Sequence, residues 1–165
     1  MALLLRKIRH KRWFVATHDL DAPLPADPLA DLNTNNNNLS LWEIFPDRSN
    51  LDDVLVGLAA TFDHVSNIDL AIVDTTRLSS PVPQTQMTNG RTTYAKAASY
   101  HRDFLDLTAQ QIIEFADCIR RHASLEGFSE REVAALLAQA IREGRLDLSD
   151  LRPDVQTHLQ KKNLL

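Results

Sequence analysis

Six histidines, His10, His18, His64, His101, His122 and His158, are the side chains of this sequence best suited to acid–base or metal chemistry near neutral pH. Three have an aspartate close by: His18 beside Asp19, His64 after Asp63, and His101 two residues before Asp103. An imidazole oriented by a carboxylate is a common arrangement for a general base or a metal ligand. None of the spacings forms a diagnostic motif. There is no H-E-x-x-H, no H-x-E partnered with P-C-x-x-C, and no EF-hand loop. The candidate catalytic set is therefore His18, Asp19, His101 and Asp103, at the edges of expected loops, where sites are usually built. No metal ligand set and no cofactor is expected.

Other chemistries find less support. Cys118 is the single cysteine, so an internal disulfide and a C-x-x-C knuckle are excluded. Its place on an apolar helical stripe suits a buried, inert thiol. No G-x-S-x-G elbow occurs, and Ser79-Ser80 carries no triad signal. The four glycines, Gly57, Gly90, Gly127 and Gly144, are too scattered for a phosphate-cradling loop.

Charge is the most distinctive feature. Residues 1–15 hold five bases and no acid, residues 16–75 hold eleven acids and one base, and the rest nearly balances, for a net charge of −4. Two readings follow. Either the basic strand lies against the acidic segment and is neutralised by it, or the two patches face outward and steer a charged partner. Lys7, Arg9, Lys11 and Arg12, next to Trp13, combine phosphate-pairing charge with a stacking ring, which makes them the candidate binding residues. A net acidic chain is a poor dedicated nucleic-acid binder, so nucleic acid is possible but not favoured.

These residues need elements to position them. At 165 residues and 44% hydrophobic content the chain suits one domain with a real core. The absence of a signal-like or membrane-spanning apolar run, with the lone cysteine, points to a cytoplasmic protein with no membrane association.

Residues 2–15 read as a strand on which Lys7, Arg9 and Lys11 share one face. Three prolines punctuate 17–38, with a short helical turn over Asp27–Leu32 and an asparagine-rich turn after it. Leu39–Phe45 reads as a second strand, a helix with acids in its first turn starts after Ser49 or Asn50, and Ile68–Val73 is a third strand. Strand, helix, strand makes a βαβ unit with parallel strands. Residues 76–92 read as an irregular loop, and Tyr100–Leu107 as a strand or a helical lead-in. Capping boxes at Thr108–Gln111 and Ser129–Glu132 open two amphipathic helices, Gly127 breaks the chain between them, and Gly144 ends the second. A last helix spans about 149–161.

The expected fold is α+β, or small α/β, in a single domain over 1–165. A sheet of about three strands in 1–75 precedes the loop at 76–92. The mainly helical 93–165 holds a helical hairpin and a short terminal helix. For function, the bareness of catalytic motifs and the sorted charge favour a non-catalytic interaction protein, such as an accessory, inhibitory or immunity-like subunit, docking on a protein partner or on a second copy of itself. The alternatives are nucleic-acid binding through the basic strand and a small His/Asp enzyme.

Overall fold

The computed structural model describes residues 3–78, 84–88 and 90–165, with the backbone alone for Val15. The expected loop is therefore described only in part, and Ser79, Ser80, Pro81, Pro83 and Asn89 lie outside the described residues.

Six strands, β1 (Leu3–Ile8), β2 (Leu39–Ile44), β3 (Ile68–Asp74), β4 (Thr85–Met87), β5 (His101–Phe104) and β6 (Ser124–Phe128), form one sheet in the order β4-β5-β2-β1-β3-β6. Every paired neighbour is antiparallel. Helices lie on both faces. One face packs α2 (Leu51–Ala59), α3 (Ala95–Ala98), α5 (Glu130–Arg142) and α6 (Pro153–Lys161) over Leu5, Trp42, Ile44, Ile68, Leu70 and Ile72. The other packs α1 (His10–His18), a 3-10 segment at Asp27–Leu32 and α4 (Ala109–His122) over Leu4, Ile8, Leu41, Ala71, Val73 and Phe104. β3 sits between two apolar layers, which is why Ile68–Val73 reads as an unbroken apolar run rather than an alternation.

The mixed class holds, but five expectations do not. The sheet has six strands rather than about three, and half of them follow residue 75. β2 and β3 do run parallel, since each is antiparallel to β1, but β1 lies between them, so the βαβ unit is split. The helical hairpin is not one: β6 separates α4 from α5 and the two helices cover opposite faces. Gly127 does not break the chain but lies within β6, opposite Asp69, whose Oδ1 a side chain there would approach to 3.1 Å.

The expected strand 2–15 stops at Ile8, and His10–His18 is helix. The cause is tertiary. Arg9 lacks a capping side chain, but the carboxylates of Asp31 and Asp69 accept from the backbone N–H groups of Arg9 (2.8 Å) and His10 (3.0 Å). Donors that a helix start leaves unpaired are thereby satisfied from outside the helix. Trp13 and Ala16, a helical turn apart, then bury fully. Both capping boxes form, β2 keeps its expected two faces, and Gly144 ends α5 with φ of +67°.

Asp53 ties the helical layer together. Tyr94 Oη donates to its Oδ1 at 2.6 Å, Arg145 Nη1 lies 3.0 Å from the same oxygen, and Lys96 Nζ lies 2.7 Å from Oδ2. Burial alone would raise the pKa of this carboxyl, yet the bonds from Lys96 and Tyr94 hold it below the usual carboxylate range. Because the folded value is depressed, this contribution to stability is present above the ordinary value of about 4 and fades as pH falls through the folded one. Asp53→Asn should flatten the acid limb of a stability–pH curve in that window, measured by denaturant melts between pH 3 and 7.

Gly57 marks where α2 and α3 touch. A Cβ at this position would stand 2.3 Å from the Ala97 Cβ and 3.6 Å from the Trp42 ring. Gly57→Ala should therefore cost roughly 1–3 kcal/mol despite the better helix propensity of alanine. An unchanged thermal midpoint would show that this contact is loose.

Candidate anion-binding cleft

β1 pairs with β3 along its whole length, but with β2 only over Leu3–Leu5. Trp42 is the changeover: it faces Leu5 of β1 and also His101 of β5, and the earlier residues of β2 pair with β5 alone. Past Leu5 the sheet therefore splits, leaving Arg6–Ile8 and Leu39–Leu41 without each other as partners. Arg6 bridges the gap. Its Nη1 donates to the Ser40 carbonyl at 2.6 Å, and its Nε and Nη2 donate to the Asp31 carbonyl at 2.9 and 2.8 Å. A guanidinium has five N–H groups, so about two stay unspent among the described bonds.

The split opens into a cavity of about 530 Å³. Arg6, Lys7, Ser40 and Trp42 come from the strands, Asn33–Asn35 from the turn before β2, Leu58 and Thr61 from the end of α2, and Gly90–Thr92 and His101 from the far rim. The lining carries three cations and an imidazole but no carboxylate. Burial pushes the Arg6 guanidinium below its usual value, opposed by Asp31 and by Asp103. Burial likewise lowers Lys7, and repulsion from Arg9 and Arg6 adds to it. Lys7 Nζ lies 3.9 Å over the Phe62 ring and, among the described residues, faces no carboxylate in an ion pair. Arg91 is exposed. No carboxylate lines the cleft, although Asp31, Asp69 and Asp103 lie near enough to act on its cations.

Two of the four candidate catalytic residues meet. Thr88 Oγ1 donates to Asp103 Oδ2 at 2.9 Å and lies 2.6 Å from His101 Nδ1. Since the hydroxyl proton points at Asp103, the hydrogen-bond network assigns the imidazole proton to Nδ1 and leaves Nε2 as an acceptor. Trp42 packs against the ring edge-on at 5.0 Å. Gly90, at φ of +60°, lets the loop pass close to this ring, where a Cβ would come within 2.9 Å of His101 Cδ2. Asp103 Oδ1 is buried and takes no hydrogen bond from the described residues.

The other pair lies elsewhere. His18 ends α1 and Asp19 caps it, and both line a separate groove with Phe14 and Pro23. Asp19 Oδ1 is spent on the backbone N–H groups of Asp21 and Ala22. No group of three or more His, Cys, Asp or Glu able to hold a metal occurs among the described residues. Cys118 is buried, and burial pushes its thiol up to about 11.

The candidate binding residues do not share a face. Lys7 reaches the cleft, and Arg9 and Lys11 are exposed where α1 begins. Arg12 pairs with Asp31 at 2.7 Å, and Trp13, fully buried, donates from Nε1 to the same carboxylate at 3.0 Å. Trp13 therefore offers no ring for stacking. Arg6, Ser40, Thr88 and Arg91 were not singled out by sequence reasoning. Adjacent strand residues such as Arg6 and Lys7 normally point to opposite faces, and only a split sheet lets both line one cavity. No family model, curated protein or solved structure matches this chain.

Burial is the main cause that lowers the His101 pKa, with Asp103 opposing it. A depressed folded value means the fold favours the neutral ring. Stability should therefore fall as pH drops below the ordinary value of about 6.5, levelling off below the folded one. The imidazole C–H resonance of His101 should titrate with a midpoint below that of an unfolded control peptide. A midpoint at or above the control would contradict the buried, neutral assignment.

Proposed function

We propose that this chain is a binding protein that acts by charge-directed docking rather than catalysis, and that the cleft between β1 and β2 receives an anionic group of its partner. The carrying observation is the lining: three cations and an imidazole with no carboxylate, in a chain whose net charge is −4. Cations gathered against the average charge of a protein raise the local concentration of an oppositely charged ligand and orient it.

The acidic stretch supports the same direction of charge. Asp31, Glu43 and Asp53 are engaged in ion pairs, Asp19, Asp47 and Asp74 hold turns, and Asp69 caps α1. Asp21, Asp27, Asp52 and Asp63 stay exposed, but none of them lines the cleft, so at the cleft an anionic group fits better than a cationic one.

The test is an amide NMR titration with a series of polyanions at low salt: sulfate, citrate, a triglutamate peptide and a short oligothymidylate. At least one should shift Lys7, Thr61, Arg91 and Thr92 together, with an affinity that falls as salt rises and on Arg91→Glu. Silence of those amides towards every anion would remove the reading.

One observation favours a second reading, acid–base catalysis on the bound anion: the Asp103–Thr88–His101 chain at the same cleft, with Nε2 left as an acceptor. Turnover of an activated phosphate or carboxylate ester that vanishes in His101→Gln, with anion binding retained, would favour it. No turnover above buffer would end it.

A further inference from the structure

We infer that the ligand of the cleft is a small hydroxylated phosphomonoester, of the sugar-phosphate kind, bound through its phosphate by Arg6, Lys7 and Arg91. This rests on the anion-docking reading and goes beyond it by naming the ligand class.

Three features narrow the class. The first is charge. A phosphomonoester carries close to two negative charges at neutral pH and three acceptor oxygens. Three cations with no carboxylate among them exceed what a single carboxylate needs, and Arg6 holds unspent N–H groups in the planar fork that suits phosphate. Arg6 is also preorganised: its bonds to two backbone carbonyls fix the group without pairing it, among the described residues, to a carboxylate in an ion pair, so little side-chain freedom is lost on binding.

The second is size. A cavity of about 530 Å³ lies within the range of roughly 300–1,000 Å³ that takes a small molecule.

The third is the rest of the lining. Ser40, Thr61, Thr92, Asn33 and Asn35 line the cleft with the cations. The Thr61 hydroxyl donates to the Leu58 carbonyl and the Thr92 hydroxyl accepts from the Tyr94 N–H, which leaves the first an acceptor and the second a donor for an alcohol. The rings at the cleft offer no free face of the kind a nucleobase stacks on: His101 is 5% exposed, and Phe62 packs on the core and carries Lys7 Nζ over its ring at 3.9 Å. Trp42 is only 6% exposed and lies edge-on to His101. The polar rim therefore fits a sugar better than a base.

The experiment is calorimetric titration of the full chain with glucose 6-phosphate, adenosine monophosphate, inorganic phosphate, glucose, triglutamate and oligothymidylate. Glucose 6-phosphate should bind saturably and more tightly than inorganic phosphate or adenosine monophosphate, and glucose should give no heat. Arg91→Ala should weaken glucose 6-phosphate about tenfold, the loss expected for one charge-assisted bond, with the thermal midpoint unchanged. Arg6→Lys should weaken it by at least as much, because an ammonium lacks the planar fork. Binding of triglutamate or oligothymidylate without glucose 6-phosphate overturns the ligand class and leaves anion docking standing. Adenosine monophosphate binding more tightly than glucose 6-phosphate overturns the sugar assignment. Heat from none of the anions overturns both readings, and glucose 6-phosphate binding indifferent to Arg91→Ala and Arg6→Lys overturns the site.

Discussion

The arrangement turns on Asp31. Its carboxylate accepts from the Arg9 backbone, from Arg12 and from the Trp13 indole, while its carbonyl accepts twice from Arg6. One residue of a 3-10 turn therefore starts α1, locks the indole that fills the core beneath it, and holds the guanidinium that spans the split sheet. A carboxylate so placed must be satisfied by several partners at once to offset the cost of leaving water, and here it is. Without that anchor the start of His10–His18 would keep only the bond to Asp69 from outside the helix, and Arg6 would lose two of the three bonds that keep it in the gap.

Local signals were legible where local physics decides. Thr108 with Gln111 and Ser129 with Glu132 announce helix starts because a capping box is closed within four residues. The two faces of β2 follow from alternation alone. The misreadings share a cause: long-range partners. Residues 9–15 have strand-like bulk, and two distant aspartates turn them into helix. β6, with a glycine and a charge in five residues, has little strand character of its own and exists because β3 offers it an edge. The βαβ unit was visible, but not that β1 would slide between its strands.

The candidate site shows the same division. His101 and Asp103, two apart in a strand, share a face, and sequence proximity sufficed to pair them. Their link through Thr88 required β4 to lie against β5, and their separation from His18 and Asp19 required the layers to be known. The charge asymmetry was plain in the sequence, but its fate was not. Part of the acidic stretch is taken up by caps, turns and ion pairs, while Arg6 and Lys7 of the basic stretch line a cleft that holds no carboxylate where the strands part.

The central position of β1 has a consequence for how the chain is made. Among the described residues, Leu3–Ile8 provides the only strand pairing between the β4-β5-β2 half of the sheet and the β3-β6 half. This strand is synthesised before either neighbour and must wait for both, an ordering that makes the pairing non-local and slow. Until then its leucines are exposed and best kept from other chains. A proteolytic nick that released these few residues would divide the sheet into two fragments, each left with a raw edge open to aggregation.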